Sequence, residues 1–240
     1  MKKGDLSNYK AVILAGGRGT RLYPVTKEIP KPLLPVNRKP IINYLADLFF
    51  TQGITDIAVL ISQQFREDFE WWKKRYYPDR NIEFFEEIEP LGTFGGIWFA
   101  REWISDSPFF MTNGDELKKI NLGDMASFHK EVDPVATIAL VEVPNPQDYG
   151  VAVCRGNFIK EFIEKPANPP SKYINSGLYL LSPRVLKYHI GPKFTMIEKD
   201  IFPVLARENK LAGFKFKGRW TDCGTWERYE KAIDTWENNE

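Results

Sequence analysis

Short apolar runs alternate with helical stripes of apolar residues through the first half of the chain. The runs at 12–15, 57–61, 82–85 and 109–112 predict buried strands, because a strand covered on both faces reads as a continuous apolar segment. Apolar residues at the spacing of one helix face predict helices over about 40–52, 65–76 and 93–103. A helix at 122–130 and a strand at 135–143 follow. This alternation predicts an α/β fold, with a mostly parallel central sheet and helices on both faces.

The second half of the chain has a different pattern. Segments 151–154 and 158–163 flank Arg155, Gly156 and Asn157, and this arrangement predicts a hairpin. Further strands are predicted over 173–181 and 211–216, with helices near 183–189, 197–208 and 225–236. Residues 1–9 are predicted to be a loose leader. Because the chain has neither an internal repeat nor a low-complexity linker, a single compact domain is expected.

Composition narrows the function classes. The 33 basic and 32 acidic residues nearly cancel to a net charge of +1, so no nucleic-acid partner is expected. Two cysteines without a C-x-x-C pair and two histidines predict no structural zinc site, and His129 and His189, in surface-like contexts, are assigned no role. No apolar stretch approaches the length of a membrane span. A soluble cytoplasmic protein without a membrane partner is therefore expected.

Residues 11–35 combine a predicted strand, a glycine-rich turn and several basic residues. Glycine lets the backbone take positive φ and lets a ligand approach closely, and successive N–H groups in such a turn form a concave anion site. The stretch carries four cations against one acid, which favours a polyphosphate ligand; they are Arg18, Arg21, Lys27 and Lys31. The glycine spacing fits neither a Walker loop nor a dinucleotide fingerprint. A surface turn with solvated basic residues is the alternative.

Two aspartates are candidates for holding Mg²⁺. Asp115 follows a predicted buried strand, and ligands of open α/β sheets lie at the carboxyl ends of strands. Mg²⁺ is commonly held by one or two carboxylates together with substrate phosphates. Asp222 precedes the last predicted helix, for which Thr225 is the better placed N-cap. An ordinary turn aspartate is the alternative at both positions.

The string L-A-G-G-x-G-T-R-L-x-P, followed by P-K-P-L-L-P, closely resembles the signature of the sugar-1-phosphate nucleotidylyltransferases. Six further segments resemble that family in the same order: P-L-G-T-F-G-G (90–96), N-G-D (113–115), Y-G (149–150), F-I-E-K-P (162–166), N-S-G-L-Y (175–179) and W-T-D-C-G-T (220–225). The resemblance runs from about Lys10 to Lys231. It implies a Rossmann-like, GT-A-like nucleotidylyltransferase domain over 10–240, with a nucleotide-binding half to about 143 and a sugar-phosphate-binding half from about 144.

The resemblance also implies roles for individual residues. The implied nucleotide-binding residues are Leu14, Ala15, Gly16, Gly17, Gly19, Thr20, Arg21, Pro90, Gly92, Thr93 and Asn113. Those implied to bind the sugar phosphate are Gly150, Glu164, Lys165 and Asn175. The catalytic set is Arg21, Lys31, Asp115, Lys165 and Asp222, with Mg²⁺ as cofactor on the two aspartates. Gln63, after the second predicted strand, is added as a base contact, with a solvated loop glutamine as the alternative.

The expected enzyme transfers a nucleoside monophosphate from an NTP to a sugar 1-phosphate and releases pyrophosphate. Segment 89–95 and Pro32 are most similar to the mannose-1-phosphate guanylyltransferase branch, which favours GTP and mannose 1-phosphate, with Glu89 as an acid able to pair with guanine. Phe94 stands where a small residue is usual and would narrow the base pocket, so UTP and dTTP are alternatives to GTP. Heptose 1-phosphate is the alternative to mannose 1-phosphate. A non-catalytic regulatory homologue that senses nucleotide sugars is the alternative of another class. Homo-oligomerisation is left open.

Overall fold

The computed structural model describes residues 5–236, so only the part of the predicted leader from Asp5 onward is described. The strands of this range are β1 Lys10–Ala15, β2 Pro35–Val36, β3 Lys39–Pro40, β4 Asp56–Ser62, β5 Asn81–Glu87, β6 Phe109–Asn113, β7 Glu116–Lys119, β8 Ala136–Glu142, β9 Gly150–Arg155, β10 Phe158–Glu164, β11 Tyr173–Leu181, β12 Leu211–Lys215 and β13 Arg219–Asp222. Its α-helices are α1 Ile41–Thr51, α2 Arg66–Tyr76, α3 Gly92–Gly95, α4 Ile97–Ile104, α5 Leu122–Val132, α6 Phe202–Arg207 and α7 Trp226–Thr235.

The central sheet has nine strands in the order β5-β4-β1-β6-β11-β8-β12-β10-β9. The first four strands of this order are parallel to one another. From β11 onward the sheet is mixed: β11 runs antiparallel to β6 and β8, β12 is parallel to β8, and β10 is antiparallel to β12 and β9. The prediction of a mostly parallel sheet is therefore correct only for the first half of the chain. The hairpin β9–β10 requires antiparallel pairing, because its loop is too short for a crossover.

Helices cover both faces of this sheet, as predicted. Ala11, Ile13 and Ala15 of β1 pack in one buried cluster with apolar side chains of α1, α2 and α5. Val12, which points to the other face, packs with apolar side chains of α4 and α6. This alternation is the two-residue period of a strand with both faces buried.

Three predicted helices take other forms in the structure. The helix predicted over 93–103 is interrupted at Gly96, between α3 and α4. The segment Pro183–Tyr188 is a 3₁₀ turn, and the helix predicted over 197–208 begins as a π-helical turn, Ile197–Ile201, before α6. None of the helices between residues 5 and 236 has the length and apolarity needed to cross a membrane.

A second, two-stranded sheet of β7 and β13 was not predicted, and it positions both candidate metal ligands. In its antiparallel register Glu116 lies opposite Asp222. The backbone N–H of Cys223 donates to the Asp115 carbonyl oxygen at 3.0 Å, which extends the pairing by one residue. Two segments that are about a hundred residues apart in sequence therefore bring Asp115 and Asp222 to the same place.

Candidate active site

A cavity of about 370 Å³ lies at the carboxyl ends of β1 and β6. The two strands are parallel neighbours, and the Gly114 N–H donates to the Leu14 carbonyl oxygen at 2.9 Å just beyond them. The predicted site residues that line this cavity are Leu14, Ala15, Gly16, Gly17, Gly19, Thr20, Arg21, Lys31, Pro90, Gly92, Thr93, Asn113 and Asp115. Gln63 is exposed and is not among the lining residues, so the structure does not bring it to the predicted site.

The glycine turn is held in a conformation that favours glycine. Gly19 has a φ of 61°, in the left-handed region, and its carbonyl oxygen accepts a hydrogen bond of 2.8 Å from Thr26 Oγ1. A Cβ at Gly16 would overlap the carboxylate of Glu87, which ends β5. Close packing against the turn thus explains a glycine at Gly16, and left-handed geometry explains one at Gly19.

Lys31 and Asp115 form a short ion pair inside the cavity. The Lys31 ammonium lies 2.5 Å from the Asp115 carboxylate, and Lys31 is buried between Pro30 and Pro32. Burial opposes ionisation of Asp115, but the attraction of Lys31, reinforced by Arg21 and Lys118, outweighs it and lowers the pKa of the carboxyl below its usual value. Asp115 is therefore an anion at neutral pH.

Asp222 is also paired with a cation, one that was not predicted. Its carboxylate accepts hydrogen bonds from the Gly224 N–H at 2.6 Å and from the Arg228 guanidinium at 3.0 Å. Arg228 also bonds Asp148 at 2.7 Å, in the turn that precedes β9. Thr225 caps α7 as predicted, since its side chain accepts from the Arg228 N–H. No sequence pattern marked Arg228, because its second partner, Asp148, lies 80 residues away along the chain.

A buried polar network lies beneath the two aspartates. Lys118, whose side chain is fully buried, donates to Thr112 Oγ1 at 2.8 Å and to the Glu116 carboxylate at 3.2 Å. The same carboxylate accepts from Trp220 Nε1 and from Asn113 Nδ2, both at 2.8 Å. Burial raises the pKa of Glu116 above its usual value, although the neighbouring Lys118 opposes that shift. The network ties β6, β7 and β13 together and so fixes the loop that carries Asp115.

The predicted sugar-phosphate residues form a second group, outside the lining of this cavity. Glu164 ends β10 directly opposite Gly150 in β9. Lys165 follows with a φ of 49°, a left-handed conformation that costs a non-glycine residue about 1 kcal/mol or more, and its N–H donates to the Tyr149 carbonyl oxygen at 3.1 Å. Burial raises the pKa of Tyr149, and the negative charge of the nearby Asp222 carboxylate raises it further. Tyr149 therefore connects this group to the Asp222 carboxylate.

Asn175 belongs to the same second group and has a fixed orientation. Its side-chain Nδ2 donates to the Tyr179 hydroxyl at 2.8 Å, and its Oδ1 accepts from the Gly177 N–H at 2.9 Å. The structure therefore holds the amide of Asn175 from both ends.

Glu87 is a candidate functional residue that sequence reasoning missed. It lines the cavity, is only 6% exposed, and lies so close to Gly16 and Gly96 that a Cβ on either glycine would overlap its carboxylate. Burial raises its pKa to about 7. Glu89, the acid expected to pair with the base, is exposed instead. A usable signal existed, because Glu87 ends a parallel strand, the place where ligands of such sheets bind.

Two other expectations about side chains are wrong. Phe94 is fully buried and packs edge-on against His189 with ring centroids 5.8 Å apart, so it does not line the cavity or narrow it. His129 and His189 are both buried, not surface-like. Cys223, the neighbour of Asp222, is a fully buried thiol packed in the protein interior.

The carboxylates around the cavity are too few to hold a metal ion without ligands from a substrate. Between residues 5 and 236, no group of three or more His, Cys, Asp or Glu side chains could hold an ion by itself. Two carboxylates brought together by β7 and β13 do match the usual Mg²⁺ site, in which one or two carboxylates are supplemented by substrate phosphates.

The sequence profile of the Nucleotidyl transferase family matches residues 10–239. The chain therefore belongs to that family, and the resemblance seen in its motifs is confirmed. It is similar to the mannose-1-phosphate guanyltransferase of Schizosaccharomyces pombe, with 39% identity over 223 residues, covering 90% of this chain and 61% of the relative. The enzyme of the same name from Saccharomyces cerevisiae is 37% identical, with the same coverage of both chains. The chain thus spans about three fifths of the length of these relatives.

Solved structures share the fold over almost the whole chain. HddC from Yersinia pseudotuberculosis is 29% identical with a TM-score of 0.82, covering 95% of this chain and all of that one, and it has also been solved in complex with GMP-PN. A protein from Bacillus anthracis assigned as a glucose-1-phosphate thymidylyltransferase is 26% identical with a TM-score of 0.88, covering 97% of this chain and 96% of that one.

Proposed function

We propose that this protein transfers GMP from GTP to mannose 1-phosphate, producing GDP-mannose and pyrophosphate. The observation that carries the proposal is one cavity that holds the glycine turn, the segment around Pro90–Thr93, Lys31 and Asp115 together. In this proposal the segment around Pro90–Thr93 binds the base of the nucleotide, and the glycine turn and Lys31 bind its phosphates. Membership of the family and the names of the curated relatives support the reaction class.

The reaction is an in-line displacement at phosphorus. An oxygen of the sugar phosphate forms a bond to the α-phosphorus of GTP, and the bond from that phosphorus to the α,β-bridging oxygen breaks. The bridging oxygen leaves with the electron pair as part of pyrophosphate. A phosphate monoester loses its second proton near pH 6, so the nucleophile is already mostly a dianion at neutral pH and needs no general base.

Because both substrates are anions, the protein must position them and neutralise charge. Lys31 and Arg21 line the cavity, and we assign Lys31 to the α-phosphate and Arg21 to the departing pyrophosphate. Lys165 lies at the end of β10, among the predicted sugar residues, and is assigned to the attacking phosphate. The N–H groups of Gly16, Gly17 and Gly19 are assigned to the nucleotide.

Asp115 and Asp222 would hold Mg²⁺, as their shared position beside the cavity supports. When bound, the ion would supply positive charge to the phosphates. In the structure each carboxylate is paired with a side-chain cation, Asp115 with Lys31 and Asp222 with Arg228. Lys31 keeps Asp115 charged, and the Arg228 guanidinium holds the Asp222 carboxylate in place.

Glu87 supports guanine over the other bases. Guanine presents two adjacent donors, N1–H and the N2 amino group, and a carboxylate is an acceptor-only group that can receive both. Uracil and thymine present one N–H between two carbonyl oxygens, which a carboxylate would repel. Since the buried carboxylate lines the same cavity as Pro90 and Gly92, it can meet the base edge of a bound nucleotide. The solved HddC complex with GMP-PN adds support from a relative.

The proposal is tested by a matrix of GTP, UTP, dTTP, ATP and CTP against mannose, glucose and heptose 1-phosphates, scored by pyrophosphate release. GTP with mannose 1-phosphate should give the highest kcat/KM. A matrix dominated by UTP or dTTP would contradict the guanine assignment and leave the reaction class intact. Nucleotide binding without pyrophosphate release in any combination would support a sensing protein instead of an enzyme.

A further inference from the structure

A buried line of hydrogen bonds runs from the proposed base-binding segment to the proposed sugar-binding asparagine. Thr93 Oγ1 donates to Glu198 Oε2 at 2.5 Å, and the Tyr179 hydroxyl donates to Glu198 Oε1 at 3.4 Å. Tyr179 in turn accepts from Asn175 Nδ2 at 2.8 Å. Thr93 lines the nucleotide cavity, whereas Asn175 belongs to the second group. The line therefore connects the two halves of the site.

The direction of these bonds is determined by the buried carboxylate. Glu198 accepts from both hydroxyl groups that reach it, from Thr93 at Oε2 and from Tyr179 at Oε1. Tyr179 has then used its single O–H and can only accept from Asn175. Backbone bonds complete both ends, because the Ile197 N–H donates to Thr93 Oγ1 at 3.0 Å and the Gly177 N–H donates to Asn175 Oδ1. The amide of Asn175 thus has one orientation, with one N–H and one oxygen lone pair left for a ligand.

Backbone hydrogen bonds also join this line to the proposed base-binding segment. The Phe94 N–H donates to the Thr195 carbonyl oxygen, and the Thr195 N–H donates to the Leu91 carbonyl oxygen, both at 2.9 Å. Segment 195–198 must therefore follow any shift of residues 91–94. Tyr179 is fully buried in β11, and Glu198 is 8% exposed, so water cannot easily replace a broken bond in the line.

We infer that Glu198 and Tyr179 are positioning residues that couple Thr93 to Asn175, so that a nucleotide bound at Thr93 stabilises the existing orientation of the Asn175 amide and tightens the binding of the sugar phosphate. This inference rests on the proposed function, which places the base at Thr93 and the sugar at Asn175. A nucleotide that restrains segment 91–94 also restrains the hydrogen bonds that run from the Thr93 hydroxyl through Glu198 and Tyr179 to the amide. By linkage, mannose 1-phosphate must tighten nucleotide binding by the same factor.

The test is calorimetric titration of mannose 1-phosphate into the whole protein, with and without saturating α,β-methylene GTP and with Mg²⁺ present throughout. In the wild type the nucleotide should lower the Kd of the sugar phosphate at least about fivefold. Tyr179→Phe keeps the ring that packs on Phe202 and removes only the hydroxyl, so this factor should fall below about twofold. Melting temperature is recorded to verify folding.

Two further variants complete the design. Glu198→Gln retains one acceptor oxygen and replaces the other, so it should reduce the factor as well, and combining it with Tyr179→Phe should add little. Tyr77→Phe is the matched control, because it removes another buried tyrosine hydroxyl, bonded to Asp47 at 2.7 Å and remote from both ligand groups. It should retain the wild-type factor.

Each remaining result has a defined meaning. If both ligands bind the wild type independently, or if Tyr179→Phe keeps the wild-type factor, the coupling inference is wrong and the proposed function stands. If Tyr77→Phe loses as much of the coupling factor as Tyr179→Phe does, the loss comes from general destabilisation of the protein. That result would also overturn the coupling inference. If neither ligand binds the wild type, the proposed function fails and the inference fails with it.

Discussion

On the proposed function, the replacement Glu87→Gln should change which nucleotide base the protein prefers. The amide that results has one acceptor and one donor group, so only one of the two guanine N–H groups could still be received. The other would face an N–H in a site that leaves residue 87 only 6% exposed. An unsatisfied buried group costs about 1–3 kcal/mol, which corresponds to GTP binding weakened by about 5–150-fold. The amide suits the N–H and carbonyl edge of uracil or thymine, so the discrimination against UTP and dTTP should shrink.

The raised pKa of Glu87 gives the same prediction a pH signature. Burial raises the pKa of the Glu87 carboxyl to about 7, and the proposed guanine contact needs its ionised form. About one tenth of it is ionised at pH 6, so the apparent Kd for GTP should rise about tenfold between pH 8 and pH 6. In Glu87→Gln this part of the pH dependence should vanish. Titration of the GTP phosphates affects the wild type and Glu87→Gln equally, so it cancels when the pH profile of one Kd is subtracted from that of the other.

Protein stability should show the opposite pH trend. Between its unfolded pKa of 4.5 and its folded pKa of about 7, Glu87 binds a proton in the native state and not in the unfolded chain. The stability from this proton is fully present below pH 4.5 and is lost as the pH rises through 7, by at most about 3 kcal/mol. Relative to the wild type, Glu87→Gln should therefore gain stability between pH 5 and pH 8 in denaturant titrations.

Calorimetric Kd values for GTP and UTP at pH 6, 7 and 8 decide the matter. Glu89→Gln is the matched control, since Glu89 is exposed two residues away, and it should leave both Kd values and their pH dependence unchanged. Equal GTP binding by Glu87→Gln and the wild type at pH 8 would refute the assignment. So would an effect of Glu89→Gln as large as that of Glu87→Gln.

Three further predictions test other parts of the site. Asp115→Asn and Asp222→Asn should each lower kcat at least about 100-fold while the protein still folds, and near-normal turnover at limiting Mg²⁺ would show the metal assignment to be wrong. Lys165→Ala should raise the Kd for mannose 1-phosphate far more than that for GTP; equal damage to both, measured by calorimetry, would exclude a dedicated sugar-phosphate role. Lys118→Met should cost about 3–5 kcal/mol and lower the melting temperature by roughly 6–20 °C, because it leaves Glu116 buried without its cation, and an unchanged melting curve would contradict the network.

The local features of this fold were predictable from the sequence. Continuous apolar runs identified β1, β4 and β6, and the glycine turn after β1 was correctly placed at the carboxyl edge of the sheet. The mixed character of the sheet was not, because pairing direction depends on contacts between distant strands. Glu116–Lys119 reads as a polar turn, and its partner β13 lies about a hundred residues away, so no local pattern revealed the small sheet that joins Asp115 to Asp222.

The site was predicted through its motifs and not through its supporting contacts. Glu86, Glu87 and Glu89 are nearly equivalent in the sequence, yet only Glu87 lies against the glycine turn, where packing with Gly16 and Gly96 selects it. Glu198 was likewise invisible, because its role depends on hydrogen bonds to Thr93 and Tyr179 from other segments. Such residues are specified by tertiary packing, for which a single sequence carries no periodic signal.

The proposed nucleotidyl transfer between GTP and a sugar phosphate can be measured in reverse, because the reverse reaction incorporates pyrophosphate into a nucleoside triphosphate. The protein is incubated with ³²P-labelled pyrophosphate, Mg²⁺ and either GDP-mannose or UDP-glucose, and the nucleotides are separated by chromatography. Labelled GTP and free mannose 1-phosphate are expected from GDP-mannose, with UDP-glucose converted much more slowly. Faster formation of labelled UTP would contradict the guanine assignment, and the absence of label from every nucleotide would contradict nucleotidyl transfer itself.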